Sequence, residues 1–412
     1  MHIRRLVRSV LRQCKQEMMP YHADISDPIP YRFSERDVRI VAEIVRSGTI
    51  HHEQGLQMTS FEREFAAFTG VRHAIAVNSG TSALMLAVSA LGLSPGDEVI
   101  VPAYTFVATA QAVLANNAVP VFADIDSTFT VSPKSISRKI TKKTRAIIVV
   151  HMFGNVCDME KIIRIARRHH LLVIEDCAQA IGAKYQGNSV GSMGDIGCFS
   201  FNMKKALPTG QGGMAITNSD TYDERMIAAR NTGLSFTDGM TDVVSFGGTY
   251  FMTEIEAALG RSVLRQIRYL NGVRKANFLY LMHLLEPISE LIRIYSVTPY
   301  AEPSYSRLSF MLNMRNLRGT RDEFIQKMVS AGIAFKKFYP TPLYRYSLFS
   351  RHRNILTGVP FPFGSMPKYH PLPYAERFGK EHIGMEFSPY WNASDMRKIA
   401  TEIMSVIGTL RK

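Results

Sequence analysis

Apolar residues along this chain change their spacing several times. Ser34 with Asp37 three residues on has the form of a capping box, and apolar positions at helical spacing follow from Val38 to Val45, so an entry helix is predicted there. From His73 onward short apolar runs alternate with helical stretches: His73 to Val77 then Thr81 to Leu91, Glu98 to Val101 then Thr105 to Ala115, and Val119 to Ala123. The alternation continues through Ala146 to His151, a helix over Met159 to His169, a strand over Leu171 to Glu175, and strands near Gly197 to Phe201 and Met214 to Thr217. Runs this apolar, interleaved with helices, predict an α/β protein with a mostly parallel mixed sheet buried on both faces. A helical pattern over Met252 to Ile267 reads as a connector, and beyond it the alternation becomes irregular. This divides the chain into a basic N-terminal extension (1–25), a large domain (26–272) and a smaller C-terminal α+β domain (273–412).

The length of 412 residues agrees with more than one unit, since single cores stop growing near roughly 250 to 300 residues. With 46% hydrophobic and 20% charged residues the composition is that of a globular protein. The net charge of +14 is high, but the basic residues are scattered, apart from Arg4, Arg5, Arg8, Arg12 and Lys15 ahead of the first acid, Glu17. No zinc-finger spacing or aromatic RNA-binding pair accompanies them, which favours a solvated basic surface over a nucleic-acid partner. Cys14, Cys157, Cys177 and Cys198 form no CxxC pair, so neither a zinc site nor a disulfide framework is indicated, and no metal is expected. The leader places Ile3, Leu6, Val7, Val10 and Leu11 at helical spacing between arginines, without the continuous apolar stretch of a secretion signal. Packing on the body of the protein, or fraying, is expected of it rather than membrane association, and the expected compartment is the cytoplasm.

In an open α/β sheet ligands bind beyond the carboxyl ends of the strands. Three places there carry polar groups. Asn78-Ser79-Gly80-Thr81-Ser82 follows a strand and opens a helix, which suits a phosphate, although any strand-to-helix turn wants such residues for capping. Asp176 follows the apolar strand ending at Glu175, where a carboxylate needs a cationic or hydrogen-bonding partner, or caps the next helix. Phe199-Ser200-Phe201-Asn202-Met203-Lys204-Lys205 leads into Gly210-Gln211-Gly212-Gly213, and a desolvated lysine there can form a Schiff base with an aldehyde. Together these are anchors for the phosphate, ring nitrogen and aldehyde of pyridoxal phosphate.

The motifs resemble those of the DegT and StrS family of sugar aminotransferases, which have the fold-type I architecture of aspartate aminotransferase. The resemblance runs from about Ser47 to Ile407. It rests on Asn78 to Leu84, Pro102 to Thr109, Val121 to Asp126, Ile174 to Ala180, Gly194 to Gly197 and the lysine segment. It implies pyridoxal phosphate as cofactor, with Gly80, Thr81 and Ser200 at its phosphate, Phe106 stacked on its ring, Asp176 at the ring nitrogen and Gln179 beside the ring hydroxyl. The family's lysine stands five residues before the first glycine of its loop, which selects Lys205 over Lys204 as the catalytic lysine. The implied reaction moves an amino group from glutamate or glutamine to a keto-sugar or keto-cyclitol, and the implied assembly is a homodimer.

Departures from the family pattern are Thr249-Tyr250-Phe251-Met252 where the family often has Asn-Tyr-Arg-Met, so that Thr249 replaces an asparagine expected to reach the partner's phosphate site and Phe251 an arginine, together with Asn202 for histidine, Gln211 for an acid, and Phe338 for histidine before Tyr339-Pro340. They bear on the substrate more than on the cofactor. Two other readings compete: a deoxysugar dehydratase, against which Lys205 argues because dehydrating members carry histidine there, and a catalytically idle regulatory protein.

Overall fold

The computed structural model describes residues 23–29, 31–51, 55–237, 240–362, 367 and 370–412. The arginine-rich leader through residue 22 lies outside the described residues, while Ala23 and Ile25 just after it are buried in the core. Helix α1 (Glu35–Ser47) begins at the expected capping box: the Asp37 amide donates to Ser34 Oγ, and the Asp37 carboxylate accepts from the Ser34 amide. Helix α2 (Gln57–Thr69) follows and buries Phe61 and Phe65.

The central sheet has seven strands: β1 (His73–Val77), β2 (Glu98–Pro102), β3 (Val119–Ala123), β4 (Thr144–Val150), β5 (Leu172–Asp176), β6 (Ile196–Ser200) and β7 (Gly213–Thr217). Their order is β1-β7-β6-β5-β4-β2-β3, and β7 alone runs against its neighbours. Helices α3 (Gly80–Ala90), α4 (Ala108–Ala115) and α5 (Met159–Arg168) connect its strands. The continuous apolar runs have a simple cause. Within β4, Ile148 and Val150 join the apolar core on one face, while Ile147 and Val149 join that on the other.

Helix α4 starts three residues later than its pattern suggested, because Tyr104 and Thr105 turn inward and are buried before a tight turn from Phe106 to Thr109. The connector is two helices, α6 (Glu254–Leu264) and α7 (Ile267–Leu284), and the boundary expected at 272 and 273 falls inside α7. Beyond it lies an antiparallel sheet of β8 (Ile292–Ile294), β9 (Arg307–Leu312) and β10 (His382–Glu386), in the order β8-β9-β10. Helix α8 (Ala393–Leu410) packs on α7, and one apolar core runs on from the central sheet into Leu308, Phe310 and Met385.

Candidate active site

Alternation along β5 sends its last two carboxylates to opposite sides. Glu175 is fully buried and accepts from His151 Nε2 at 2.9 Å and from the amides of Gly191, Met193 and Gly194 at 2.9, 2.8 and 2.6 Å. It is a structural tie between the strand end and the loop behind it. Asp176, the strand's last residue rather than the one after it, accepts from the Thr109 hydroxyl at 2.9 Å and the Ala178 amide at 3.1 Å. Burial raises its carboxyl above the ordinary range, against the pull of that amide and hydroxyl. A cation set against it would favour the charged form.

Beside it, α3 presents its N-terminus. The Ser79 hydroxyl accepts from the Ser82 amide at 3.1 Å, and the earlier first-turn amides have no acceptor within the helix. Gly80 lies against Ser200 at the end of β6, so closely that a Cβ on residue 80 would come within 2.6 Å of Ser200 Cβ. Gly80, Thr81 and Ser200 thus put helix-start amides and two hydroxyls together, the donor set for a phosphate.

The loop from β6 to β7 closes on itself, Phe201 N donating to Gly212 O and Met203 N to Gly210 O, and Lys205 sits in its turn with its amide on Asn202 O at 2.8 Å. Lys204 is exposed, whereas Lys205 is drawn inward. Burial lowers the Lys205 amine to about 7, with the Arg307 charge adding to it and Asp176 and Glu386 opposing. Gln179 Oε1 accepts from the Phe153 amide at 3.1 Å and Arg307 Nη1 at 3.2 Å, and its Nε2 donates to Tyr339 Oη at 3.4 Å. Phe153 and Tyr339 hold φ of 56° and 47°, strain concentrated around this glutamine. Phe106 is 53% exposed, its ring 6.1 Å from that of Tyr339, leaving a face open for stacking.

Thr109, Arg307 and Glu386 belong to the cleft and were missed from sequence. Glu386 closes an apolar strand, the signal that singled out Asp176, whereas Arg307 opens one and carries no such signal.

The profile of the DegT/DnrJ/EryC1/StrS aminotransferase family matches residues 32–383. The chain belongs to that family. It is 38% identical to the GDP-perosamine synthase of Caulobacter vibrioides over 291 residues, covering 69% of this chain and 77% of that protein. Over 352 residues it is 35% identical to the UDP-N-acetyl-3-dehydro-alpha-D-glucosamine 3-aminotransferase of Acidithiobacillus ferrooxidans, covering 85% and 88% of the two. An aminotransferase structure from Psychrobacter cryohalolentis superposes with a TM-score of 0.84 at 31% identity, covering 93% of this chain and 99% of that one. Members of the DegT/DnrJ/EryC1/StrS family with this fold are pyridoxal-phosphate enzymes.

Where the chain departs from the family pattern, the new residues contact one another or the cleft. Asn202 Nδ2 donates to Gln211 Oε1 at 3.4 Å, joining two departures across one loop. Thr249 bridges to Asn231, and the next residue, Tyr250, accepts from the Asn78 amide at 2.7 Å. Phe338 lies beneath Arg307, 4.5 Å from ring centroid to Cζ, and 5.1 Å from Lys336 Nζ.

Proposed function

We propose that this chain transfers an amino group from glutamate or glutamine to the ketone of a nucleotide- or phosphate-linked sugar or of a cyclitol, with pyridoxal phosphate held at Lys205. The observation that carries the reading is a lysine with its pKa lowered to about 7, facing a buried aspartate, beside a helix start and two hydroxyls. The donor set fits the group: Gly80, Thr81 and Ser200 would hold the phosphate, Asp176 the ring nitrogen, Phe106 the ring face and Gln179 the edge near the ring hydroxyl. When bound, pyridoxal phosphate supplies an aldehyde for the amines and a protonated ring that takes up the electron pair released at the donor α-carbon. With the group in place, Lys205 would be the base that removes the donor's α-proton and the acid that returns it, and it would act in the reverse sense on the acceptor. Asp176 would keep the ring nitrogen protonated, and the Thr109 hydroxyl holds the Asp176 carboxylate in place.

Relatives that act on nucleotide-linked sugars support such an acceptor. A homodimer is supported by the exposed apolar residues Met240, Val243 and Phe246 in and after the hairpin spanning 234–243. No helix among the described residues is long and apolar enough to cross a membrane. The test is the visible spectrum of purified protein before and after borohydride, with peptide mapping, followed by a screen of amino donors and keto-sugars. Label at Lys205 and nitrogen transfer to a keto-sugar or keto-cyclitol are expected. A protein that takes up no pyridoxal phosphate overturns the proposal in favour of an idle scaffold, and loss of a hydroxyl from the sugar without nitrogen transfer favours the dehydratase.

A further inference from the structure

Arg307 is buried at the start of β9, yet among the described residues only its Nη1 makes a hydrogen bond, to Gln179 Oε1, and no carboxylate lies within ion-pair distance of it. Its guanidinium Cζ lies over the Phe338 ring, 4.5 Å from the centroid. A buried guanidinium without a carboxylate is costly, and its planar fork matches an incoming carboxylate. Arg307 and Glu386 both act on the Lys205 amine through their charges, Arg307 disfavouring the ammonium and Glu386 favouring it.

Directly opposite Arg307 across the β9 and β10 pair stands Glu386. Its Oε2 is 2.6 Å from Lys336 Nζ, while its buried Oε1 has no hydrogen-bond donor among the described residues. Burial works against ionisation of Glu386, but Lys336 and Arg307 outweigh it and hold the carboxyl below the ordinary range. An ionised carboxylate whose one free oxygen lacks a donor accepts an amide N–H and repels a second carboxylate.

We propose that Arg307 and Glu386 select the amino donor: Arg307 grips the α-carboxylate and Glu386 Oε1 accepts from the side-chain carboxamide, so that glutamine, not glutamate, is the donor. This rests on the aminotransferase reading. In balance, the α-amino group of glutamine passes to the acceptor ketone, whose C=O becomes CH–NH2. The glutamine α-carbon gives up its hydrogen and nitrogen and gains the carbonyl oxygen, while its carboxamide stays intact.

The test uses the full-length protein loaded with pyridoxal phosphate and two unreactive probes, α-methylglutamine and α-methylglutamate, which lack the α-hydrogen and so bind without completing transfer. Spectral titration reads binding, and kcat/KM for glutamine and glutamate is measured in parallel. The wild type is expected to favour α-methylglutamine by about tenfold or more, a charged hydrogen bond against a like-charge clash. Glu386→Gln should narrow or reverse that ratio, and Arg307→Met should weaken both probes equally. Arg307→Lys, which keeps the charge without the fork, should fall between and guards against a folding defect. Equal binding of the two probes by the wild type, or an unchanged ratio in Glu386→Gln, overturns the proposal. So does an Arg307→Met protein whose defect lies only in the acceptor KM, since the fork would then serve the acceptor. Transfer from another amino acid alone overturns this assignment and spares the aminotransferase reading, whereas transfer from no amino acid overturns both.

Discussion

The cleft has two walls of different construction. On the central-sheet side, Asp176 is bonded to Thr109 and to its own strand-end turn, and Gly80 abuts Ser200, so the proposed cofactor anchors are fixed by elements of the sheet and its helix start. On the small-sheet side, Arg307, Lys336 and Glu386 are longer side chains reaching in from β9, β10 and the segment between them. The first wall is preorganised for one group, whereas the second has charge to spare and unfilled hydrogen-bonding capacity. Groups that must hold one geometry in every turnover are best placed on rigid elements, as on the first wall.

Breaking the rigid wall should have the larger effects. Lys205→Ala should abolish borohydride labelling and lower turnover by roughly a thousandfold or more, while Lys204→Ala keeps both, as read by peptide mapping and steady-state rates. Asp176→Ala should still take up cofactor, more weakly, and transaminate roughly a hundredfold more slowly in single-turnover measurements. Near-normal rates would remove the aspartate from the electron-sink role. Gly80→Val forces a side chain against Ser200, a clash of about 1 to 3 kcal/mol, and should weaken cofactor binding in a spectral titration about tenfold.

The smallest effect sharpens the comparison by coupling the walls. In protein freed of cofactor, the nucleophile is the neutral Lys205 amine, whose pKa lies near 7 rather than 10.5. The rate of cofactor capture should therefore rise with pH up to about 7 and level off above it. Arg307→Met removes a charge that disfavours the ammonium, so the midpoint should move to higher pH. A midpoint that stays put would mean that desolvation alone sets the lysine.

Much of the rigid wall was legible in sequence because it is local. Asp176 ends a short apolar strand, Gly80 and Lys205 follow such strands by three and five residues, and the spacing between motifs is covalent. The division of the connector was less legible: residues 252–267 carry one helical pattern, and only the Thr253 capping box marks where α6 begins. The second wall was hidden for another reason. Arg307 and Glu386 meet only through the register of β9 with β10, a pairing of residues 79 positions apart in the chain that no local pattern encodes. Lys336 arrives from a third place again.

The back-to-back carboxylates at the end of β5 affect how damage to this protein would show itself. Moving Asp176 by one position along the strand would also turn Glu175 away from the four donors that hold it. An insertion or deletion there would strand a buried charge before it altered any rate. Such variants should be lost as insoluble or degraded chains rather than accumulate as folded, inactive ones.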